Sequence, residues 1–188
     1  MNAYLRHLPN AISVGRVLLV GPVAWALLDA RYTTAFWLFV VAGASDGVDG
    51  FLAKRFGWSS RIGGILDALA DKLLLVTTFV CLWWVGLFPW WLVLAVLLRD
   101  LVIVAGAIVY NYRVEAVQPE PSLISKLNTF LQIALAAFGM VRLAFDNVPD
   151  GVITGLVWAV MLTIVLSGTG YVREWSRRAR DRGPHGHV

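Results

Sequence analysis

The chain has 188 residues, 59% of them hydrophobic and only 15% charged, with nine tryptophans and a net charge of +4. That balance lies outside the soluble globular range and places the chain in the integral membrane class, with no separate soluble domain. The excess of Lys and Arg follows membrane topology along the chain, so it does not mark a nucleic-acid surface.

A bilayer span needs about 20 mostly apolar residues, and the chain divides into six. The opening "MNAYLRHLPN" is too short and too weakly basic for a cleaved signal, so the first span, Ala11 to Ala30, is expected to stay in the mature protein. The second runs from Thr34 into an aspartate-bearing stretch. The third extends from Gly63 to Gly86, and Pro89 then breaks the chain. The fourth is Trp90 to Asn111, followed by the polar connection "YRVEAVQPEPS". The fifth is Leu123 to Phe145, "DNVPD" makes the next turn, and the sixth is Val152 to Val172. Residues 173–188 form a basic tail. The expected fold is therefore an all-α bundle of six transmembrane helices, one membrane domain over 1–188. Cys81 is the single cysteine and falls mid-span, where an inert buried thiol is expected.

Basic residues set the orientation. Arg6 and Arg16 near the N-terminus, Lys54, Arg55 and Arg61, then Arg113 and Lys126, and finally Arg173, Arg177, Arg178, Arg180 and Arg182 all fall on one side of a six-span chain. The opposite connections hold little more than Arg31 and Arg142. Both termini and the aspartate stretch are expected to face the cytoplasm, in a bacterial inner membrane.

That stretch is "SDGVDGFLAKRFGWSSRIGGILDALADK", from Ser45 to Lys72. Asp46 and Asp49 are three apart, and Asp67 and Asp71 four apart, so each pair shares a helix face. One pair closes the second span and the other opens the third, so the short connection brings them together. An Asp inside a membrane helix costs about 3 kcal/mol on insertion scales, and four together repel one another. Divalent cations relieve both penalties. An all-oxygen donor set suits Mg²⁺, Mn²⁺ or Ca²⁺ rather than Zn²⁺, and paired ions suit in-line displacement at phosphorus.

The neighbours fit phosphate chemistry. Gly47 and Gly50 let a ligand approach the backbone. Lys54, Arg55 and Arg61 can meet phosphate oxygens. Gly63 and Gly64 open the third span, where free N–H groups favour anions and where close helix packing is the competing role. Ser59 and Ser60 serve equally as caps or as ligand contacts.

The stretch resembles the signature of the CDP-alcohol phosphatidyltransferases: Asp, two residues, Asp-Gly, two residues, Ala-Arg, eight residues, Gly, three residues, Asp, three residues, Asp. Here it reads Asp46, Asp49-Gly50, Ala53-Lys54, Gly63, Asp67 and Asp71, with every spacing kept. The departure is Lys54 in place of arginine, which keeps the charge but loses the bidentate fork. Arg55 stands beside it as a second candidate for the phosphate contact. The resemblance implies a six-span bundle, usually a homodimer, with CDP-diacylglycerol as donor. It implies that Asp46, Asp49, Asp67 and Asp71 hold Mg²⁺ or Mn²⁺, two ions in all. It further implies that Gly50, Ala53 and Lys54 line the nucleotide site and that Asp71 takes the proton from the acceptor hydroxyl.

For the acceptor, "LPNAISVGR" (Leu8 to Arg16) is similar to the start shared by phosphatidylglycerophosphate synthases and the cardiolipin synthases of this superfamily. "RDLVIVAGAIVY" from Arg99 and "PSLISKLNTFLQ" from Pro121 to Gln132 resemble the cardiolipin synthases more closely. The expected acceptor is phosphatidylglycerol, giving cardiolipin and CMP, with glycerol 3-phosphate as the alternative. Arg16, Arg99, Arg113 and Lys126 are the candidate acceptor ligands. Arg99 has a competing role as the partner of Asp100 or another Asp, and Lys126 as a snorkelling interfacial lysine. A divalent-cation carrier is the remaining alternative. It is disfavoured because the first and sixth spans carry almost no polar groups across the bilayer.

Overall fold

The computed structural model describes the backbone at residues 8–56, 61–113 and 123–180, and side chains at 13–47, 69–105 and 123–168. The described residues form six helices: α1 (Leu8–Leu28), α2 (Tyr32–Phe56), α3 (Arg61–Trp84), α4 (Trp90–Arg113), α5 (Leu123–Phe145) and α6 (Asp150–Arg180). All six expected elements are present. Their ends move by a few residues, except in α6, which continues through the basic segment as far as Arg180. Glu174 and Arg178 stand four apart there, a spacing that supports a helix, and a cationic end suits the negative pole of the helix dipole.

The turns explain the remaining boundaries. Ala30, Gly86 and Asp146 hold positive φ angles of 57°, 82° and 50°, one just past each of α1, α3 and α5. Beyond α1, the Arg31 N–H donates to the Ala26 carbonyl at 2.8 Å; beyond α3, the Leu87 N–H donates to the Leu82 carbonyl at 2.9 Å. This six-to-one bond closes each helix in a Schellman turn. Gly86 meets the left-handed requirement without strain, and Pro89 then prevents α3 from resuming. The short turns make α1 and α2, α3 and α4, and α5 and α6 antiparallel pairs.

Helix α1 packs on α2 and α3, α5 packs on α2, α3 and α6, and α4 lies against α3 and α6. The core joins them through Val23, Leu27, Phe39, Phe79, Leu82, Leu92, Val96, Leu135, Met140 and Val160. Cys81 is buried within it, as expected. At Gly139 a Cβ would meet Leu87 Cδ2 at 3.0 Å and Phe88 Cζ at 3.2 Å, so α5 presses its bare backbone onto the α3–α4 turn.

The outer surface is apolar. Leu18, Trp84, Leu101, Leu123 and Phe130 are each at least 66% exposed. Among the described residues, α5 and residues 150–168 of α6 are long and apolar enough to cross a membrane, yet only 33% and 28% of those windows are buried. A core helix of a water-soluble protein hides most of such a surface, so this exposed face suits hydrocarbon rather than water. The tryptophans at the α3–α4 turn, Trp83, Trp84 and Trp90, are all exposed, as interfacial anchors are.

Candidate active site

Three helices converge on one buried cation. Arg16 on α1 has a fully buried side chain. Its Nη1 donates to Asp46 Oδ1 on α2 at 2.7 Å and also to Asp71 Oδ1 on α3. The carboxylates face the other way in accessibility, with side chains 40% and 46% exposed. The result is a layered arrangement: a guanidinium beneath and two open carboxylates above it. A charged guanidinium without counter-charges would not stay in such a place, and the paired aspartates supply them. The two aspartates lie far apart in sequence, yet their oxygens come within reach of a single nitrogen. That is the convergence expected from the short α2–α3 connection.

This donor set fits a hard divalent ion. Two carboxylates from facing helices are already bridged by one cationic group, and both side chains are part-exposed. A Cβ at Gly47, next to Asp46, would meet nothing within 4 Å. Helices α2 and α3 run unbroken through Asp49 and Asp67, so the three- and four-residue spacings keep their helical register. The side chains of Asp49, Ala53, Lys54, Arg55 and Asp67, the surroundings of Gly50 and Gly63 within their helices, and the whole of Ser60 lie outside the described residues. Among the described side chains no group of three or more His, Cys, Asp or Glu stands together.

A second charged cluster adjoins the first along α3. Lys72, the residue after Asp71, places Nζ 2.5 Å from Asp100 Oδ2 on α4. Arg99 Nη1 donates to Asp100 Oδ1 at 2.8 Å, and its Nη2 donates to Ser125 Oγ on α5 at 2.5 Å. Arg99 Nε reaches Ser167 Oγ on α6 at 3.5 Å. Arg99, Asp100, Ser125 and Ser167 are buried. Arg99 therefore faces the bundle interior and pairs with Asp100. Two cations share one carboxylate, so the cluster carries one net positive charge. Sequence reasoning left out Lys72. Its signal was available, because an ionisable residue inside an apolar helix points by default to function.

Lys126, next to buried Ser125, is exposed and takes no ion-pair partner among the described residues. Arg16, Arg99 and Lys126 thus have separate surroundings: Arg16 on the aspartates, Arg99 on Asp100 and Ser125, and Lys126 at the surface; the side chain of Arg113 lies outside the described residues. Deeper along α5, Ser125, Asn128 and Gln132 form a buried polar stripe at helical spacing. Thr163 Oγ1 on α6 donates to Asn128 Oδ1 at 2.8 Å. Asn128 Nδ2 and Gln132 Nε2 are buried there without acceptors. Nothing in the hydrophobic pattern singled these residues out.

The family model described as CDP-alcohol phosphatidyltransferase matches residues 6–167. The chain is 33% identical to the chloroplastic CDP-diacylglycerol–glycerol-3-phosphate 3-phosphatidyltransferase 1 of Oryza sativa, over 94% of this chain and 59% of that protein. It is 28% identical to the cardiolipin synthase (CMP-forming) of Homo sapiens, over 80% of this chain and 55% of that protein. It is 27% identical to the CDP-diacylglycerol–glycerol-3-phosphate 3-phosphatidyltransferase of Bacillus subtilis, over 90% of this chain and 95% of that one. The chain thus spans a little more than half the length of the plant and animal relatives, and nearly all of the bacterial one.

Proposed function

The chain belongs to the CDP-alcohol phosphatidyltransferase family, and from that premise we propose that it transfers a phosphatidyl group from CDP-diacylglycerol to an alcohol and releases CMP. The observation that carries this reading is the meeting of Asp46 and Asp71, from two helices, at one cationic point. The family generally uses divalent metal ions, and the aspartates are the chain's means of holding them. Asp46, Asp49, Asp67 and Asp71 hold two Mg²⁺ or Mn²⁺ ions in this reading. When bound, the ions neutralise charge on the pyrophosphate and make its phosphorus more electrophilic. Lys54 and Arg55 meet the pyrophosphate oxygens, and Gly50 and Ala53 let the nucleotide approach α2 closely. Gly63 and Ser60 contribute at the start of α3. Asp71 accepts the proton of the attacking hydroxyl as the new O–P bond forms and the bond to CMP breaks.

The acceptor in this proposal is phosphatidylglycerol, and the product cardiolipin. A dianion such as glycerol 3-phosphate needs several converging cations. The net single positive charge of the Lys72, Asp100 and Arg99 cluster suits the single negative charge of a phosphodiester headgroup better. The alternative, transfer to glycerol 3-phosphate, has its own support in the names of the rice and Bacillus relatives. The bundle crosses the membrane six times as a homodimer, with both termini and the aspartates at the cytoplasmic face of a bacterial inner membrane. The basic end of α6 fits that orientation.

The experiment is CMP release from CDP-diacylglycerol in detergent with Mg²⁺ or Mn²⁺. Asp46→Asn, Asp49→Asn and Asp67→Asn should each lose most turnover while the protein still folds. Near wild-type turnover in any of the three would remove the metal-site reading. Asp71→Asn should keep much of the donor binding and lose the chemical step.

A further inference from the structure

Arg16 occupies the position that matters most for metal binding. Its Nη1 sits on one oxygen each of Asp46 and Asp71, and its side chain is fully buried beneath them. A divalent ion held by those two carboxylates would draw on the same negative charge that the guanidinium neutralises. A guanidinium and a dication also repel each other at such separations, and more so away from bulk water. The contacts of each therefore weaken those of the other. Resting on the metal-site reading above, we propose that Arg16 is a built-in competitor for the metal: a tethered cation that holds Asp46 and Asp71 together and gives them up as divalent ions bind.

Two consequences follow from charge and geometry. The carboxylates do not have to be assembled against their mutual repulsion when a metal arrives, because Arg16 has already drawn them to one point. The apparent metal affinity is nevertheless reduced by the fraction of molecules in which Arg16 holds the oxygens, since only the remainder is competent to bind. A released guanidinium beside the metal site also suits a polyanion. It carries a planar fork matched to phosphate oxygens. Arg16 is thereby a positioning residue for the metal site whose partners depend on occupancy. The sequence reading of Arg16 as a phosphate ligand then describes the same residue after the exchange.

The test is Mn²⁺ binding to purified protein without lipid substrates, followed by electron paramagnetic resonance of free Mn²⁺, together with thermal melting with and without the ion. Arg16→Gln should bind Mn²⁺ at least tenfold more tightly than wild type. It should melt lower in the absence of the ion and recover a larger share of its stability on adding it. Lys72→Gln is the control, since it removes a nearby positive charge that is paired with Asp100 instead. Competition for the oxygens requires the Arg16 effect to be several times larger than the Lys72 effect. Equal effects in the two variants, or unchanged or weakened binding in Arg16→Gln, would overturn the proposal. Wild-type protein carrying isotope-labelled arginine provides a readout that no folding defect can obscure. Adding Mg²⁺ should shift a guanidinium infrared band that the difference spectrum against Arg16→Gln assigns to Arg16 among the thirteen arginines, and no shift in that band contradicts the exchange. Absence of Mn²⁺ binding in wild type and variants alike would overturn the metal-site reading itself, and this proposal with it.

Discussion

Asp100 shows how one side chain can decide a site's stability. It is buried between Arg99 and Lys72, with contacts of 2.8 and 2.5 Å. Asp100→Asn leaves two cations facing each other without their shared counter-charge, and breaking a buried pair in this way costs about 3 kcal/mol or more. Lys72→Gln should cost less, under about 1 kcal/mol, because Lys72 is 40% exposed and solvent screens its contact. Unfolding of both variants in a denaturant series checks the order, and a larger loss for Lys72→Gln would contradict it. Lys54 and Arg55 allow a parallel test by function. If they share the pyrophosphate, Lys54→Ala weakens donor binding only in part, while the double change to Ala is far worse than either alone. Donor titrations showing additive small effects, within about 0.5 kcal/mol, would mean that neither holds it. At this scale the sequence displayed the charged residues well, because every charge in an apolar chain stands out. It could not display their partners. Arg99 had Asp100 or another Asp as possible counter-ions, and only the packing of α3 against α4 brings in Lys72. Arg16 and the aspartates are likewise brought together by α1 crossing both α2 and α3, which no local pattern encodes.

At the scale of elements, long apolar runs bounded by turn signals located the six helices, two of which, among the described residues, are long and apolar enough to cross a membrane. Their ends were less legible. Gly86 and Pro89 are punctuation any reader can use, whereas Ala30 ends α1 in a left-handed conformation that alanine rarely adopts. The end of α6 was set too early because charge was read as the limit of the helix as well as of the span. A helix can continue past its apolar run without ending, and α6 does so as far as Arg180. The polar stripe on α5 was also hidden, because Ser125, Asn128 and Gln132 are spaced among apolar neighbours that satisfy the hydropathy of a span. Gly139 on the same helix supplies a packing test. Gly139→Ala puts a methyl group 3.2 Å from the buried Phe88 ring and 3.0 Å from the end of Leu87. Leu87 can swing aside and Phe88 has little room, so the substitution should destabilise by about 1 kcal/mol. Thermal melting in detergent measures it, and a stabilised variant would mean that the α3–α4 turn yields to α5.

Among the described residues, an apolar exterior surrounds two charged clusters to which side chains of α1 to α6 contribute. The first cluster, around Asp46 and Asp71, is the proposed site of the donor. The second, around Arg99, is the proposed place of the acceptor. Relatives named for both phosphatidylglycerophosphate and cardiolipin synthesis match most of the chain, so overall similarity does not choose the acceptor. In the proposed reading the choice rests on the positive charge around the acceptor, and among the described residues the second cluster has one cation more than it has carboxylates. The most direct measurement gives purified protein CDP-diacylglycerol with Mg²⁺ or Mn²⁺ and either phosphatidylglycerol or glycerol 3-phosphate, and weighs the lipid product. The expected result is CMP and cardiolipin from phosphatidylglycerol. Phosphatidylglycerophosphate from glycerol 3-phosphate, with no turnover of phosphatidylglycerol, would contradict the acceptor reading, and no CMP from either acceptor would contradict the transferase reading altogether.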